Sequence, residues 1–264
     1  MSAYYNEWDR DAAAWLRELI KQGHIAPGDV DERSITDVKP EEIRGYTQWH
    51  FFAGIGGWSL ALRQAGWADD RPVLTGSPPC QPFSTAGQQR GYADDRHLAP
   101  VWLDLVKGIR PAFVFAEQVA AAINKHDWLD DLLDGLEAEG YATGAVVLPA
   151  CGVGAPHIRQ RLWVVGRLGD SEQPGLEGHA WDGERREGWQ ETAGSVAETS
   201  ALVGLAETGW DDPDWLYCRD KKCRPVESGT FPLADGIPAR VGRLRGYGNA
   251  IVPQVATEII KEVM

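Results

Sequence analysis

Ala13, Leu16, Leu19 and Ile20 recur at helical spacing through residues 11–22, so that stretch predicts an amphipathic helix. Short candidate strands flank it, at residues 3–5, 28–30 and 48–52. The alternation continues. Residues 58–65 predict a helix stopped by Gly66, residues 73–76 a strand, residues 98–109 a helix and residues 112–117 a buried strand. Residues 128–139 predict a helix closed by Gly140, residues 145–148 and 162–165 the last strands, and residues 255–263 a closing helix. Residues 32–46, with Pro40 among them, read as a connector. Short strands alternating with amphipathic helices predict an α/β sheet with helices on both faces. Between residue 167 and about residue 231 the periodicity fades and Gly, Glu, Trp and Pro accumulate. This reads as a small, loop-rich second region.

Composition narrows the picture. A chain of 264 residues with 43% hydrophobic residues can bury one sizeable core. The first ten residues are polar and acidic and resemble no secretory signal. No run of about 18 apolar residues occurs, so a membrane-spanning helix and a membrane partner are not expected. Cys80, Cys151, Cys218 and Cys223 are few and irregularly placed, which fits a reducing cytoplasm better than a disulfide framework. Cys218 and Cys223 have no second ligand pair nearby, and no metal is expected. The net charge of −13 argues against a protein that coats nucleic acid non-specifically. It leaves room for a DNA enzyme, which needs one locally basic face. Arg159 with Arg161, Lys221 and Lys222 with Arg224, and Arg240 with Arg243 and Arg245 supply candidates.

Five stretches carry candidate chemistry. Phe51-Phe52-Ala53-Gly54-Ile55-Gly56-Gly57 lies between a strand and a helix, where glycines let a ligand approach backbone N–H groups. A tight strand–helix turn has the same appearance. Gly76-Ser77-Pro78-Pro79-Cys80-Gln81-Pro82-Phe83-Ser84 follows a strand. Its prolines fix the backbone around a thiol at a carboxyl edge, where α/β sheets keep their sites. Phe115-Ala116-Glu117-Gln118-Val119 ends an apolar strand in a carboxylate, which is costly to bury unless paired or functional. A strand-end glutamate facing water is the alternative. Arg159-Gln160-Arg161 precedes an apolar run and reads equally as a solvated basic pair. The fifth stretch runs from Gly246 through Asn249 to Ala256.

Together and in this order, these five stretches resemble the cytosine-C5 DNA methyltransferase family. The resemblance covers nearly the whole chain outside residues 167–236. It implies a Rossmann-like methyltransferase sheet, formed by residues 1–166 and 237–264, with residues 167–236 as a target-recognition region. It implies S-adenosylmethionine as cofactor, held at Phe52, Gly54, Gly56 and Gly57 and, from the final motif, Asn249 and Ile251. Cys80 is then the nucleophile, with Glu117, Arg159 and Arg161 completing the catalytic set. Double-stranded DNA is the implied partner of a monomer, contacted by Gln81, Ser84, Lys221, Lys222, Arg224, Arg243 and Arg245. The family usually has asparagine where this chain has Gln118.

The order of two further motifs differs. Family members place a ribose-binding acid and an adenine-binding aspartate between the glycine turn and the cysteine. Here Phe52 and Cys80 are only 28 positions apart. Asn6-Glu7-Trp8-Asp9 resembles the ribose motif and Gly28-Asp29-Val30 the adenine motif, so the chain resembles a circularly permuted member. Glu7 would hold the ribose, Trp8 would stack on adenine, and Asp29 beside Val30 would accept from the adenine amino group. A helix kept on its usual face after Phe52 would then lead into residues 73–76 by a connection of the wrong hand. The compact layout resembles enzymes of bacteriophages and prophages that protect DNA from restriction. A tRNA methyltransferase and an inactive DNA- or cofactor-binding module are the competing readings.

Overall fold

The computed structural model describes residues 2–78, 98–124, 128–155, 157–169, 214–217, 223–226 and 250–264. Strands β1 (Ala3–Asn6), β2 (Gly28–Asp31), β3 (Gln48–Phe51), β4 (Val73–Gly76), β5 (Phe113–Val119), β6 (Tyr141–Pro149) and β7 (Gln160–Leu168) form one sheet in the order β2-β1-β3-β4-β5-β7-β6. The first five in that order are parallel, and β7 runs antiparallel to both β5 and β6. All four residues of β1, of β3 and of β4 are buried, as strands covered on both faces must be. The expected α/β sheet is the architecture found.

Side chains alternate between two cores. On one face, α1 (Arg10–Lys21), α3 (Gly57–Gln64) and α6 (Pro253–Glu262) cover Ala3, Tyr5, Val73, Phe113, Phe115 and Trp163. On the other, α2 (Pro40–Ile43), α4 (Ala99–Ile109) and α5 (Trp128–Glu137) cover Tyr4, Trp49, Phe51, Leu74, Val114 and Val164. Asp9 caps α1 by accepting from the N–H groups of Asp11 and Ala12. The connector predicted at residues 32–46 contains α2, which begins at Pro40 because proline suits a first helical turn. The last two strands extend well past the predicted 145–148 and 162–165. Two short strands, β8 (Asp214–Tyr217) and β9 (Cys223–Val226), pair antiparallel within the region expected to be loop-rich. Among the described residues no helix is long and apolar enough to cross a membrane.

The faces and the strand order together fix the hand of each crossover. From β1 to β2 the chain moves toward one edge with α1 on the first face. From β4 to β5 it moves the other way with α4 on the second face, which gives the same hand. From β3 to β4 it also moves that way, but α3 stays on the first face. This crossover therefore has the opposite hand to its neighbours, against a strong preference for one hand. Its return segment is heavily tied down. The Arg63 guanidinium sits 2.6 Å from Asp69, and the carbonyls of Ala68 and Asp69 accept from Gln48 and Thr47. Arg71 lies 3.7 Å over the ring of Trp67, whose Nε1 donates to the Arg71 carbonyl.

Candidate active site

The register sets the site. Asp31 pairs with Asn6, Asn6 with Phe51, Phe51 with Gly76 and Gly76 with Ala116. The next residues along, Glu7, Phe52, Ser77 and Glu117, therefore stand in one rank at the carboxyl edge of the sheet. Three strand spacings separate Glu7 from Glu117, about 14 Å.

At the β1 end, the half-buried Glu7 carboxylate accepts from the N–H of Gly54 at 2.7 Å and from that of Asp9 at 2.9 Å. Burial pushes this carboxyl above its usual range, and those two hydrogen bonds pull it back part of the way. Beside it, Trp8 leaves 76% of its surface exposed, which is unusual for an indole with a full core nearby. The glycine turn needs its glycines. Gly54 and Gly56 hold positive φ, as does Phe52 at 52°. A Cβ on Gly57 would lie 2.7 Å from Cγ1 of Ile251, so the final motif packs directly on the turn. Among the described residues no side chain caps the N-terminus of α3, which leaves its N–H groups free to meet a ligand.

At the β5 end, Glu117 is 8% exposed, and Arg161 Nε lies 2.8 Å from its carboxylate. The antiparallel pairing of Val119 with Arg161 brings that guanidinium across to Glu117. Burial raises the Glu117 carboxyl above its ordinary value, and the charges of Arg161 and Arg159 offset part of that rise. Arg159 holds a positive φ of 31° and donates to the carbonyl of Ala250 at 2.6 Å, joining its strand to the start of α6. Gln118, buried on the opposite side of β5, donates to the Pro78 carbonyl at 2.9 Å and accepts from the N–H of Val119. That answers the question its extra methylene raises, since the amide still spans to the segment after β4.

The structure thus groups Glu7, Phe52, Gly54, Gly56, Gly57 and Ile251 around the turn, and Glu117, Arg159 and Arg161 at the next strand ends. Asp29 stands two residues before the end of β2, where Tyr46 donates to it, and Val30 follows it in the strand. Asp31 is the acid level with Asn6. Cys80, Gln81, Ser84, Lys221, Lys222, Arg243, Arg245 and Asn249 lie outside the described residues, and Arg224 falls within β9. Sequence reading missed Trp58, whose Nε1 donates to Ser77 Oγ at 3.1 Å, and Asn6, whose amide donates to the carbonyls of Asp31 and Arg33. The position of Asn6 beside Glu7 was the available signal.

The sequence model of the family described as C-5 cytosine-specific DNA methylase matches residues 67–208, just over half of the chain. The chain belongs to that family. Curated proteins similar to it include the Type II methyltransferase M.AplI of Arthrospira platensis, 34% identical over an alignment 149 residues long that covers 43% of this chain and 43% of that protein. The Type II methyltransferase M.NlaX of Neisseria lactamica is 30% identical over 147 residues, covering 52% of this chain and 47% of that one. The alignments span less than half of either relative. A solved structure of the Entamoeba histolytica methyltransferase EhMeth is similar over 65% of this chain and 46% of that chain, at 16% identity and a TM-score of 0.44. That likeness is too partial to add to what the strand order gives. The methylase match contains Cys80, Glu117, Arg159 and Arg161, and it begins after the glycine turn.

Proposed function

We propose that this chain transfers a methyl group from S-adenosylmethionine to C5 of cytosine in double-stranded DNA, with Cys80 as nucleophile. The rank of strand ends carries the reading. It sets the buried Glu117, paired with Arg161, beside the segment leading to Cys80, level with a glycine turn and the half-buried Glu7. The cofactor fits the residues present. The turn at Gly56 and Gly57 excludes side chains, Glu7 offers a carboxylate, and the Trp8 ring is exposed for stacking. Asn249, Ile251, Asp29 and Val30 complete the cofactor set of this reading.

Bound S-adenosylmethionine supplies an electrophilic methyl group. Cys80 adds its thiolate to C6 of the cytosine, forming an Sγ–C6 bond and placing electron density on C5. Glu117, with its raised carboxyl, gives and holds the proton at N3 that makes this addition favourable. Arg161 and Arg159 orient Glu117 and the base and favour the thiolate. C5 then takes the methyl group from the sulfonium, leaving a neutral thioether; solvent accepts the C5 proton as the Sγ–C6 bond breaks, N3 returns its proton to Glu117, and 5-methylcytosine leaves. C6 is inaccessible within a stacked duplex, so the base must swing out. Residues 167–236 read the target sequence, with Lys221, Lys222 and Arg224 as candidate contacts.

In this reading the chain is a circularly permuted member of its family. The strands bearing Glu7 and Asp29 come first in the chain yet sit beyond the glycine-turn strand in the sheet. The family match starting only at Trp67 supports this, because a collinear alignment loses whatever has been moved. Tritiated S-adenosylmethionine mixed with duplex DNA or tRNA tests the function. Label in 5-methylcytosine of DNA is expected with the wild type and not with Cys80→Ala. Label in tRNA alone, or cofactor binding without transfer to either, overturns it.

A further inference from the structure

We infer that Trp58 is a positioning residue for Cys80, coupling the glycine turn to the segment that carries the nucleophile. This rests on reading Cys80 as the nucleophile and the turn as the cofactor site. Trp58 follows Gly57 in the first turn of α3. Its indole is buried against Phe115, 5.9 Å between centroids, and edge-on to Trp163 at 5.6 Å, so it cannot swing away. From that fixed ring Nε1 donates to Ser77 Oγ at 3.1 Å.

The neighbouring residues of the same segment are held as well. On the other face of the sheet, Trp102 fills the space a Cβ on Gly76 would need. Gln118 donates to the carbonyl of Pro78. Residues 76, 77 and 78 are thus gripped by α4, α3 and β5 in turn, and Cys80 follows two residues later. Of these three grips only Trp58 belongs to the element that begins at the glycine turn. The turn and Trp58 share the first turn of α3, so a cofactor seated on the turn steadies the ring that holds Ser77, with no flexible link between them. Cofactor occupancy should therefore change how readily the Cys80 thiol reacts, while Gln118 holds Pro78 from the neighbouring strand.

The test uses the full chain with Ser77→Ala, Trp58→Phe and the double variant. Iodoacetamide alkylation of Cys80 is timed by peptide mass spectrometry with and without S-adenosylmethionine, taking the exposed Cys151 as internal reference. Cofactor affinity is measured by calorimetry, and kcat and KM by methyl transfer to DNA. In the wild type the cofactor should change the Cys80 alkylation rate relative to Cys151. In Ser77→Ala that dependence should disappear and kcat should fall about fivefold, the size of one buried hydrogen bond. Cofactor affinity and KM should hold within about twofold, and the double variant should be no worse than either single one. Ser77→Ala removes one hydroxyl, so it decides the matter even if Trp58→Phe folds poorly. Alkylation that ignores the cofactor in the wild type overturns the inference, as do effects of the two substitutions that multiply. A wild type that transfers no methyl group yet shows cofactor-dependent alkylation abolished by Ser77→Ala would sink the proposed activity and leave the coupling standing.

Discussion

Gly76→Ala is a demanding test of the carboxyl edge of the sheet. A Cβ built on Gly76 would lie 2.2 Å from Nε1, 2.7 Å from Cε2 and 2.9 Å from Cδ1 of Trp102. Ordinary contact lies near 3.5–4.0 Å, so ring and strand must separate by more than about 1 Å. Trp102 is fully buried among Phe51, Leu74 and Leu105, and a close-packed core gives it nowhere to go. Overpacking of this kind costs about 1–3 kcal/mol, and each kcal/mol lowers the melting temperature of a chain this size by about 2–4 °C. Differential scanning calorimetry should record a loss of about 2–12 °C. Any relief by backbone movement displaces Ser77 and Pro78, so methyl transfer should fall more steeply than stability. The second arm is Trp102→Phe in the same chain. Trp102 Nε1 has no hydrogen-bond partner among the described residues, so shrinking the indole forfeits none of their bonds and opens the space the new methyl needs. The double variant should melt above Gly76→Ala alone. A Gly76→Ala protein that melts within about 1 °C of wild type, or that Trp102→Phe fails to rescue, would refute the packing argument.

Glu117→Gln should lower methyl transfer at least about 100-fold while cofactor affinity, read by calorimetry, stays near wild type; a fall under tenfold would remove Glu117 from the proton's path. Glu7→Ala, which strips the Gly54 N–H of its acceptor, should weaken S-adenosylmethionine at least about tenfold in the same titration, and unchanged affinity would count against the turn as its site. His50 is fully buried between Thr75 and Gln48, and burial depresses its pKa from 6.5 to about 3. The unfolded chain therefore binds the extra proton between those values, so its contribution is complete above pH 6.5 and is lost as pH falls toward 3. Between pH 7 and pH 5 the wild type should lose about 2 kcal/mol more than His50→Asn in urea titrations, and equal losses would show that His50 does not titrate as described.

The sheet was legible in the sequence because its strands are short, apolar and fenced by glycine-stopped helices. Gly66 and Gly140 hold positive φ just after α3 and α5, where helix stops were expected. The lengths of β6 and β7 were not legible. Ahead of residues 145–148, β6 exposes Ala142 and Gly144 and lacks the hydrophobic signal of a covered strand. At the site, the glycine turn, Glu117 and the arginines stood out because their residue types sit oddly at strand ends. The division of labour between the two arginines did not. Arg161 reaches Glu117 across an antiparallel pair, whereas Arg159 reaches a carbonyl 91 residues away. Pairing register and long-range contact leave no local trace. Trp58 escaped notice for a related reason, since an aromatic residue in a helix reads as core, and it is core, with one polar atom that faces elsewhere.

The opposite-handed passage through α3 bears on how such a gene arises. Changing which strand follows a helix is a cut-and-paste event in DNA. Moving a helix to the other side of a sheet would require a new set of contacts all at once. Here Ser59 bonds Tyr5, Thr257 bonds the Ala61 carbonyl, and Trp58 reaches the catalytic edge, so α3 was not free to relocate. In the permuted reading, the connection took the disfavoured hand and the strand-end site kept its place. Transplanting residues 2–46 into the segment between Gly66 and Pro72 would undo the rearrangement that this reading supposes. The helix would then lead back toward β1 with the ordinary hand, and the reordered gene should encode the same sheet from a more conventional reading frame of motifs.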